Sequence, residues 1–281
     1  MTILLLRYAE IGLKSTPVRR RFENTLKDNL LNRLMEDGVE ALVTNKGARF
    51  YVEASDIDAA VASVRRVFGI ASASIAEEST SKMEDMCSVA AEYSKAKLKE
   101  GQSFAVKARR EGTQGYTSLD MGREIGSAIF LANEDKGVKV DLTDPDVTFY
   151  VEARDNRAFI FQDYIRCHAG LPVGTQGKVI AHVDGSERSV VSAWLMMKRG
   201  CRVLIQGDGD FSALKQYDVY LREFDPAKDD EKKILGIVMG TDIGGIGGID
   251  VSQYGLPVFF PTIGMTDEEV HVSYETIVQG L

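Results

Sequence analysis

The chain has 281 residues, 44% of them apolar, with 34 Lys and Arg against 42 Asp and Glu and a formal charge of −8. That length exceeds what one hydrophobic core usually serves, so two or three domains are expected, and no apolar run is long enough to cross a bilayer. Cys87, Cys167 and Cys201 are too scattered for a disulfide framework, and His168, His182 and His271 offer no ligand spacing, so no metal site is assigned. The opening MTILLLRYAEIGLKS reaches Arg7, Glu10 and Lys14 too early for a signal peptide or an anchor, which gives a cytoplasmic expectation with no membrane partner.

TILLLRYAEI alternates as a strand does. Thr16 and Pro17 then open a helix with Thr16 as its cap; Phe22, Leu26, Leu30 and Leu34 recur every four residues along it, and Asp37-Gly38 ends it. EALVT and ARFYVEA read as strands split by a turn at Asn45-Lys46-Gly47, a second helix runs to Gly69, and IASASIA closes the segment as a strand. This βαββαβ order is that of a ferredoxin-like unit.

A helix is predicted over Lys82 to Lys99, followed by the strand SFAVKARR and a helix from Ser118 to Asn133. Strands around KVDL, DVTFYVEA and AFIFQDY come next, with Asp155-Asn156 as the hairpin turn between the last two. CHAGLPVG breaks regular structure as a linker. GKVIAHV, ERSVVSAWLMMKRG and CRVLI then give strand, helix, strand, the alternation of a parallel sheet; runs around YDVYLREF, ILGIVMG and LPVFFP extend it, and Thr266 starts a terminal helix. The fold class is α/β together with α+β.

The acidic excess is not uniform. Lys and Arg against Asp and Glu number 9 against 9 in residues 1–60, 14 against 17 in 61–165, and 11 against 16 in 166–281. Ile11 to Phe22 carries Lys14, Arg19, Arg20 and Arg21 with no acid. Three arginines in a first helical turn oppose the macrodipole, which favours acids there by roughly 0.3–1 kcal/mol each. Free helix N–H groups beside arginines suit a phosphate. The alternative is a solvated face with arginines paired to Glu23. A second basic group, Lys107, Arg109 and Arg110, ends a strand and alternates badly for two faces; the alternative there is a charged edge that blocks aggregation.

RYAEIGLKS, GARFYVEA, VFGIASAS, FAVKARR, VDLTDPDVTFYVEARDNRAFIF, GLPVGTQGKV, SAWLMMKRG, GIVMG and LPVFFPTIGMTDEEV occur in order along nearly the whole chain. In them the sequence resembles the tRNA 4-thiouridine synthetases, sulfurtransferases also linked to thiamine biosynthesis. The resemblance implies a ferredoxin-like domain over residues 1–60, a THUMP domain over 61–165, a linker over 166–174 and a Rossmann-like domain of the PP-loop ATP pyrophosphatase type over 175–281. It further implies a tRNA partner held by its acceptor arm, a homodimer, and a sulfur-donor or catalytic partner protein. Lys14, Arg19, Arg20, Arg21, Lys107, Arg109, Arg110 and Arg123 are the expected RNA contacts.

The family's nucleotide loop reads Ser-Gly-Gly-x-Asp-Ser before a helix, and alignment on AWLMMKRG sets Asp184, Gly185, Ser186, Glu187, Arg188 and Ser189 at those places. Only Gly185 and Ser189 match. Asp184 and Glu187 would meet phosphates as like charges, at roughly 4 kcal/mol for a pair about 4 Å apart near a surface, and Arg188 could offset one of them. The same residues make an ordinary helix start, with Asp184 or Ser186 as cap and Glu187 at the positive end. The expectation is a phosphate loop that has kept its fold and lost its chemistry, with ATP and Mg as cofactors only of a functional loop. No catalytic residue is assigned. The family's sulfur-carrying cysteine lies beyond the segment matching PTIGMTDEEV, where this sequence has none. Cys167, flanked by Arg166 and His168, is the candidate for a lowered thiol pKa. MGTDIGGIGGID reads as a flexible connection.

Overall fold

The structure is a computed structural model that describes residues 2–280. The chain divides into two compact units, each gathered from separate stretches of sequence. One holds residues up to Leu6, Asn45–Ile57 and Ser74–Ile165; the other holds Arg7–Thr44, Asp58–Ala73 and the chain from Arg166 onward.

The first elements are β1 (Thr2–Arg7), α1 (Thr16–Glu36), β2 (Ala41–Lys46), β3 (Arg49–Ala54), α2 (Ile57–Arg65) and β4 (Ser72–Thr80), the expected βαββαβ order. Next come α3 (Met83–Lys95), β5 (Ser103–Glu111), α4 (Ser118–Ala132), β6 (Lys139–Val140), β7 (Val147–Arg154), β8 (Arg157–Phe161) and β9 (Ile165–Arg166). The last part contains β10 (Lys178–His182), α5 (Glu187–Lys198), β11 (Arg202–Gln206), β12 (Arg222–Glu223), β13 (Ile234–Val238), β14 (Val258–Phe259) and α6 (Asp267–Gln279).

In the first unit the sheet runs β2-β3-β1-β4-β8-β7-β5-β6, with β9 beside β4. β7 and β8 form the predicted hairpin, and Asp155 takes the positive φ of 51° that such a tight turn requires. Helices α3 and α4 cover one face through Met86, Ala90, Met121, Ile125 and Ile129, packed on Phe104, Phe149 and Val151. α4 opens on a capping box: the Thr117 hydroxyl accepts the Asp120 N–H and the Asp120 carboxylate accepts the Thr117 N–H. Two predicted elements come out shorter. α3 stops at Lys95 because the Lys136 ammonium donates to the Lys95 and Leu98 carbonyls at its end, and β6 stops at Val140 because the Asp141 carboxylate takes the Thr143 and Asp144 N–H groups into a turn.

In the second unit β12-β11-β10-β13-β14 form a parallel sheet, with Ile180 opposite Leu204 on one side and Ile237 on the other. The expected face of α5, Val190, Val191, Ala193, Trp194 and Met197, is buried in the core of this sheet with Val270 and Ile277 of α6. α1 belongs to the same unit, and its Phe22, Leu26, Leu30 and Leu34 are buried as the four-residue period predicts. It begins one place earlier than expected. The Ser15 carbonyl already accepts the Arg19 N–H at 2.8 Å, so Ser15, not Thr16, stands at the cap. At its other end, Asp37 accepts from Arg33, Ser63 and Arg66 at 2.6–2.8 Å, which ties α1 to α2. The linker is bound rather than loose: Leu171 N–H reaches the Lys198 carbonyl at 3.0 Å. Gly170 has φ 77°, and a Cβ there would lie 2.3 Å from that same carbonyl oxygen, so only glycine permits the approach.

Candidate nucleic-acid interface and altered phosphate loop

The predicted cations separate into two groups of different use. In the second unit, Arg19 donates to the Gly12 carbonyl at 3.1 Å and the Lys14 carbonyl at 3.4 Å, stapling the Glu10–Leu13 turn to the start of α1. It positions its neighbours and is not free for a phosphate. Arg20 and Arg21 are exposed and Lys14 is half-buried, and none of the three has an ion pair among the described residues. Glu23, the acid that could have neutralised them, accepts from the Tyr8 hydroxyl instead. The N-terminus of α1 has no side-chain cap and no acid in its first turn. Its N–H groups and the two arginines thus offer donors to an anion.

In the first unit, β5 alternates cleanly, which corrects the expectation of an irregular strand. Lys107 and Arg109 are exposed on one face, and Arg110 points to the other, where it donates to the Gly112 and Gln114 carbonyls at 2.8 and 3.2 Å. Arg109 pairs in register with Glu152 of β7, yet that carboxylate is held by Arg49 and Arg154. Arg123 sits 3.6 Å from Asp120 and 3.2 Å from Glu124. Of the eight predicted contacts, Lys14, Arg20, Arg21, Lys107 and Arg109 keep their charge available, while Arg19, Arg110 and Arg123 are engaged by their own chain. Sequence separation alone could not distinguish these groups, because the partners are carbonyls and acids placed by turns.

The loop between β10 and α5 is built as a helix start. Ser186 is the cap and its hydroxyl accepts the Ser189 N–H at 3.2 Å. The Asp184 carboxylate takes the Ser186 N–H at 3.0 Å and its hydroxyl at 2.6 Å. Burial pushes the Asp184 carboxyl up, and the Ser186 and Ser189 bonds more than reverse this, so it lies below the usual carboxylate range and stays charged. A Cβ on Gly209 would lie 2.2 Å from the Gly185 nitrogen, and one on Gly240 2.5 Å from the Ser189 nitrogen. Backbone of two other loops thus approaches the Gly185 and Ser189 peptide groups closely, and the Ser189 N–H is already taken by the Ser186 hydroxyl.

Arg188 does not offset the loop acids as expected. Its guanidinium reaches away to Asp267 at 2.7 Å and to the Thr262 and Met265 carbonyls, while Glu187 faces His271 at 3.1 Å. The Arg188–Asp267 ion pair and the Glu187–His271 contact link the start of α5 to the start of α6. About 450 Å³ of open space remains beside them, bordered by the carboxylates of Glu187, Asp242 and Asp267 with Arg188 as its cation. Asp267, His271 and Asp242 are remote in sequence, so this lining carries no local signal. Such a donor set does not fit a polyphosphate, and no step is derived through ATP. The MGTDIGGIGGID connection folds into short turns held by Asp242 and Asp250.

The cysteine expectation is overturned. Burial dominates at Cys167 and drives its pKa up to about 11, with Arg65 and the Ala73 N–H opposing weakly. His168 cannot help as a cation, because burial, with Lys198 and Arg65 nearby, lowers its pKa to about 4. The Cys87 and Cys201 thiols are also raised by burial. His168 gives a pH prediction. Its folded pKa is depressed from 6.5 to about 4, so the unfolded chain binds the proton first and stability is lost as pH falls through that window. The loss is expected to be about 1–2 kcal/mol after screening of a partly exposed ring, and His168→Gln should flatten that part of a plot of melting temperature against pH.

Among the described residues no group of three or more His, Cys, Asp or Glu is placed to hold a metal ion, and no helix is long and apolar enough to cross a membrane.

Comparison with known proteins bears on both regions. Residues 3–74 match the ThiI ferredoxin-like domain and residues 80–163 the THUMP domain. The chain is 36% identical over 205 residues to a probable tRNA sulfurtransferase of Methanosarcina mazei, covering 72% of this chain and 50% of that protein. It is 37% identical over 207 residues to one of Methanobrevibacter smithii, covering 72% and 52%. The chain thus spans about half the length of the curated relatives it matches. A crystal structure from Pyrococcus horikoshii superposes with TM-score 0.82 at 25% identity, covering 100% of both chains. A 4-thiouridine synthetase solved as an RNA complex with bound ATP superposes with TM-score 0.79 at 23% identity, over 99% of this chain and 85% of that one, which shows a shared fold. Fold and matches together define a THUMP-domain protein with a ferredoxin-like region and a Rossmann-like sheet. Residues 3–163 thus carry a ThiI ferredoxin-like and a THUMP domain, as matched by their family models.

Proposed function

We propose that the protein binds tRNA by its acceptor arm through the ferredoxin-like and THUMP regions, and that residues 175–281 do not carry out the ATP chemistry that the PP-loop resemblance implies. The THUMP match and the names of the curated relatives support the RNA partner. Lys14, Arg20, Arg21, Lys107 and Arg109, charged and unpaired on an acidic protein, are the residues that would meet the phosphates. Local cations on an acidic background give salt-sensitive affinity, while shape and ribose contacts give selectivity for RNA. The homodimer, the cytoplasmic setting and a sulfur-donor or catalytic partner belong to the same reading.

The observation that carries the second half is the altered helix start: the Asp184 carboxylate takes the Ser186 N–H and the Ser186 hydroxyl takes the Ser189 N–H, so the loop uses donors a phosphate would need, beside the carboxylates of Glu187, Asp242 and Asp267. The space of about 450 Å³ left beside α5 favours one other reading, an ATP-dependent tRNA sulfurtransferase that borrows a partner's cysteine. Calorimetric titration with Mg-ATP, on free protein and on protein saturated with tRNA, separates the two. No heat up to about millimolar ATP in either state is expected, whereas binding near micromolar would restore the enzyme reading.

A further inference from the structure

A groove of about 510 Å³ opens in the second unit between the Glu10–Leu13 turn, the end of α5 and the β14 region. Leu195 and Met196 of α5 and the rings of Phe259 and Phe260 form its apolar floor, and Lys198 and Arg199 stand at its edge. Phe259 is 37% exposed, a large apolar ring left at a surface. It is also fixed, because it lies against Gly236, where any Cβ would meet its ring at 2.5 Å. Neither phenylalanine has an aromatic partner among the described residues; Arg199 has no ion pair, and Lys198 has none either, its ammonium lying over the Trp194 ring at 5.2 Å. The end of α5 that presents the two cations is pinned by the linker at Gly170.

We propose that this groove seats a single-stranded stretch of RNA, its bases against Phe259, Phe260 and Met196 and its backbone on Lys198 and Arg199. The proposal rests on the RNA-binding reading above. Charge complementarity selects the ligand: two cations face one acid, Glu10. Glu10 also begins the turn that leads in sequence to Lys14, Arg20 and Arg21, the cations already assigned to RNA phosphates, which favours a polymer over a mononucleotide. A duplex hides its base faces, whereas an unpaired strand offers them to an apolar platform flanked by cations.

The test measures affinity for a short blunt RNA duplex and for the same duplex with a single-stranded extension containing 2-aminopurine. For the wild-type protein the extension should tighten binding and change the probe's fluorescence. Phe259→Ala and Arg199→Gln should each lose that gain, by about five- to a hundredfold for a lost stack, and keep blunt-duplex affinity. Arg199 is exposed at the helix end, so its variant remains decisive even if Phe259→Ala fails to fold. Variants that keep the full gain overturn the proposal and leave the RNA reading standing. Displacement of the extension by AMP at equal nucleotide concentration would mark a mononucleotide pocket and also overturn it. Wild-type protein that binds neither RNA overturns the RNA reading itself.

Discussion

Protein carrying glutamate at both Arg20 and Arg21 is expected to bind tRNA at least about tenfold more weakly at low salt, with a shallower salt dependence. Both side chains are exposed on the first turns of α1 and unpaired, and the nearby Glu23 is occupied by Tyr8. Each phosphate contact contributes roughly 0.7–0.9 to the slope of log K against log salt, so losing two should lower the slope by about 1.4–1.8. Arg19→Ala provides the contrast. Its guanidinium holds the Glu10–Leu13 turn through the Gly12 and Lys14 carbonyls, so affinity should fall through misplacement of Lys14 while the slope stays nearly constant. Equal slopes for wild type and the double variant would remove these arginines from the interface.

The largest stability effect is expected at Trp194. Phe68, His168, Trp194 and Tyr217 form a closed set in which all six ring pairs have centroids 5.2–5.9 Å apart. The set joins the exit of α2, the linker and α5 within the second unit, and Trp194 is only 7% exposed. Truncation removes the central partner of three aromatic contacts and leaves a cavity too costly to collapse, so Trp194→Ala should lose about 3–5 kcal/mol in urea denaturation. Arg199→Gln on the exposed end of the same helix should stay within about 0.5 kcal/mol. A loss below about 1 kcal/mol for Trp194→Ala would show that the ring set does not hold this unit together.

Much of the architecture was legible because it is written in local patterns. The four-residue recurrence of Phe22, Leu26, Leu30 and Leu34 is the buried stripe of α1, and the alternation around Asp155-Asn156 is the β7–β8 hairpin. Thr117 and Thr266, each with an acid three residues on, cap α4 and α6 through both bonds of the capping box. Each of these depends on neighbours within one turn or one hairpin, where spacing fixes geometry. The cap at Ser186 is of the same kind, one of the two caps the loop sequence allowed.

What spacing could not reach was decided by contacts across long sequence distance. Arg188 looked like a counter-ion for its own loop and instead binds Asp267, 79 residues away. Cys167 looked activated by Arg166 and His168, yet packing buries the thiol and keeps the imidazole neutral. Gly209 and Gly240 approach the loop from other connections, and Phe259 joins Lys198 and Arg199 only because β14 and the end of α5 border one groove. The sequence by itself determined the elements, the βαββαβ and parallel-sheet patterns and the local excess of cations. Tertiary structure alone decided which charges remain free, which thiol stays protonated and which groups border the loop, because hydrogen-bond partners, desolvation and neighbouring backbone are properties of the space around a residue.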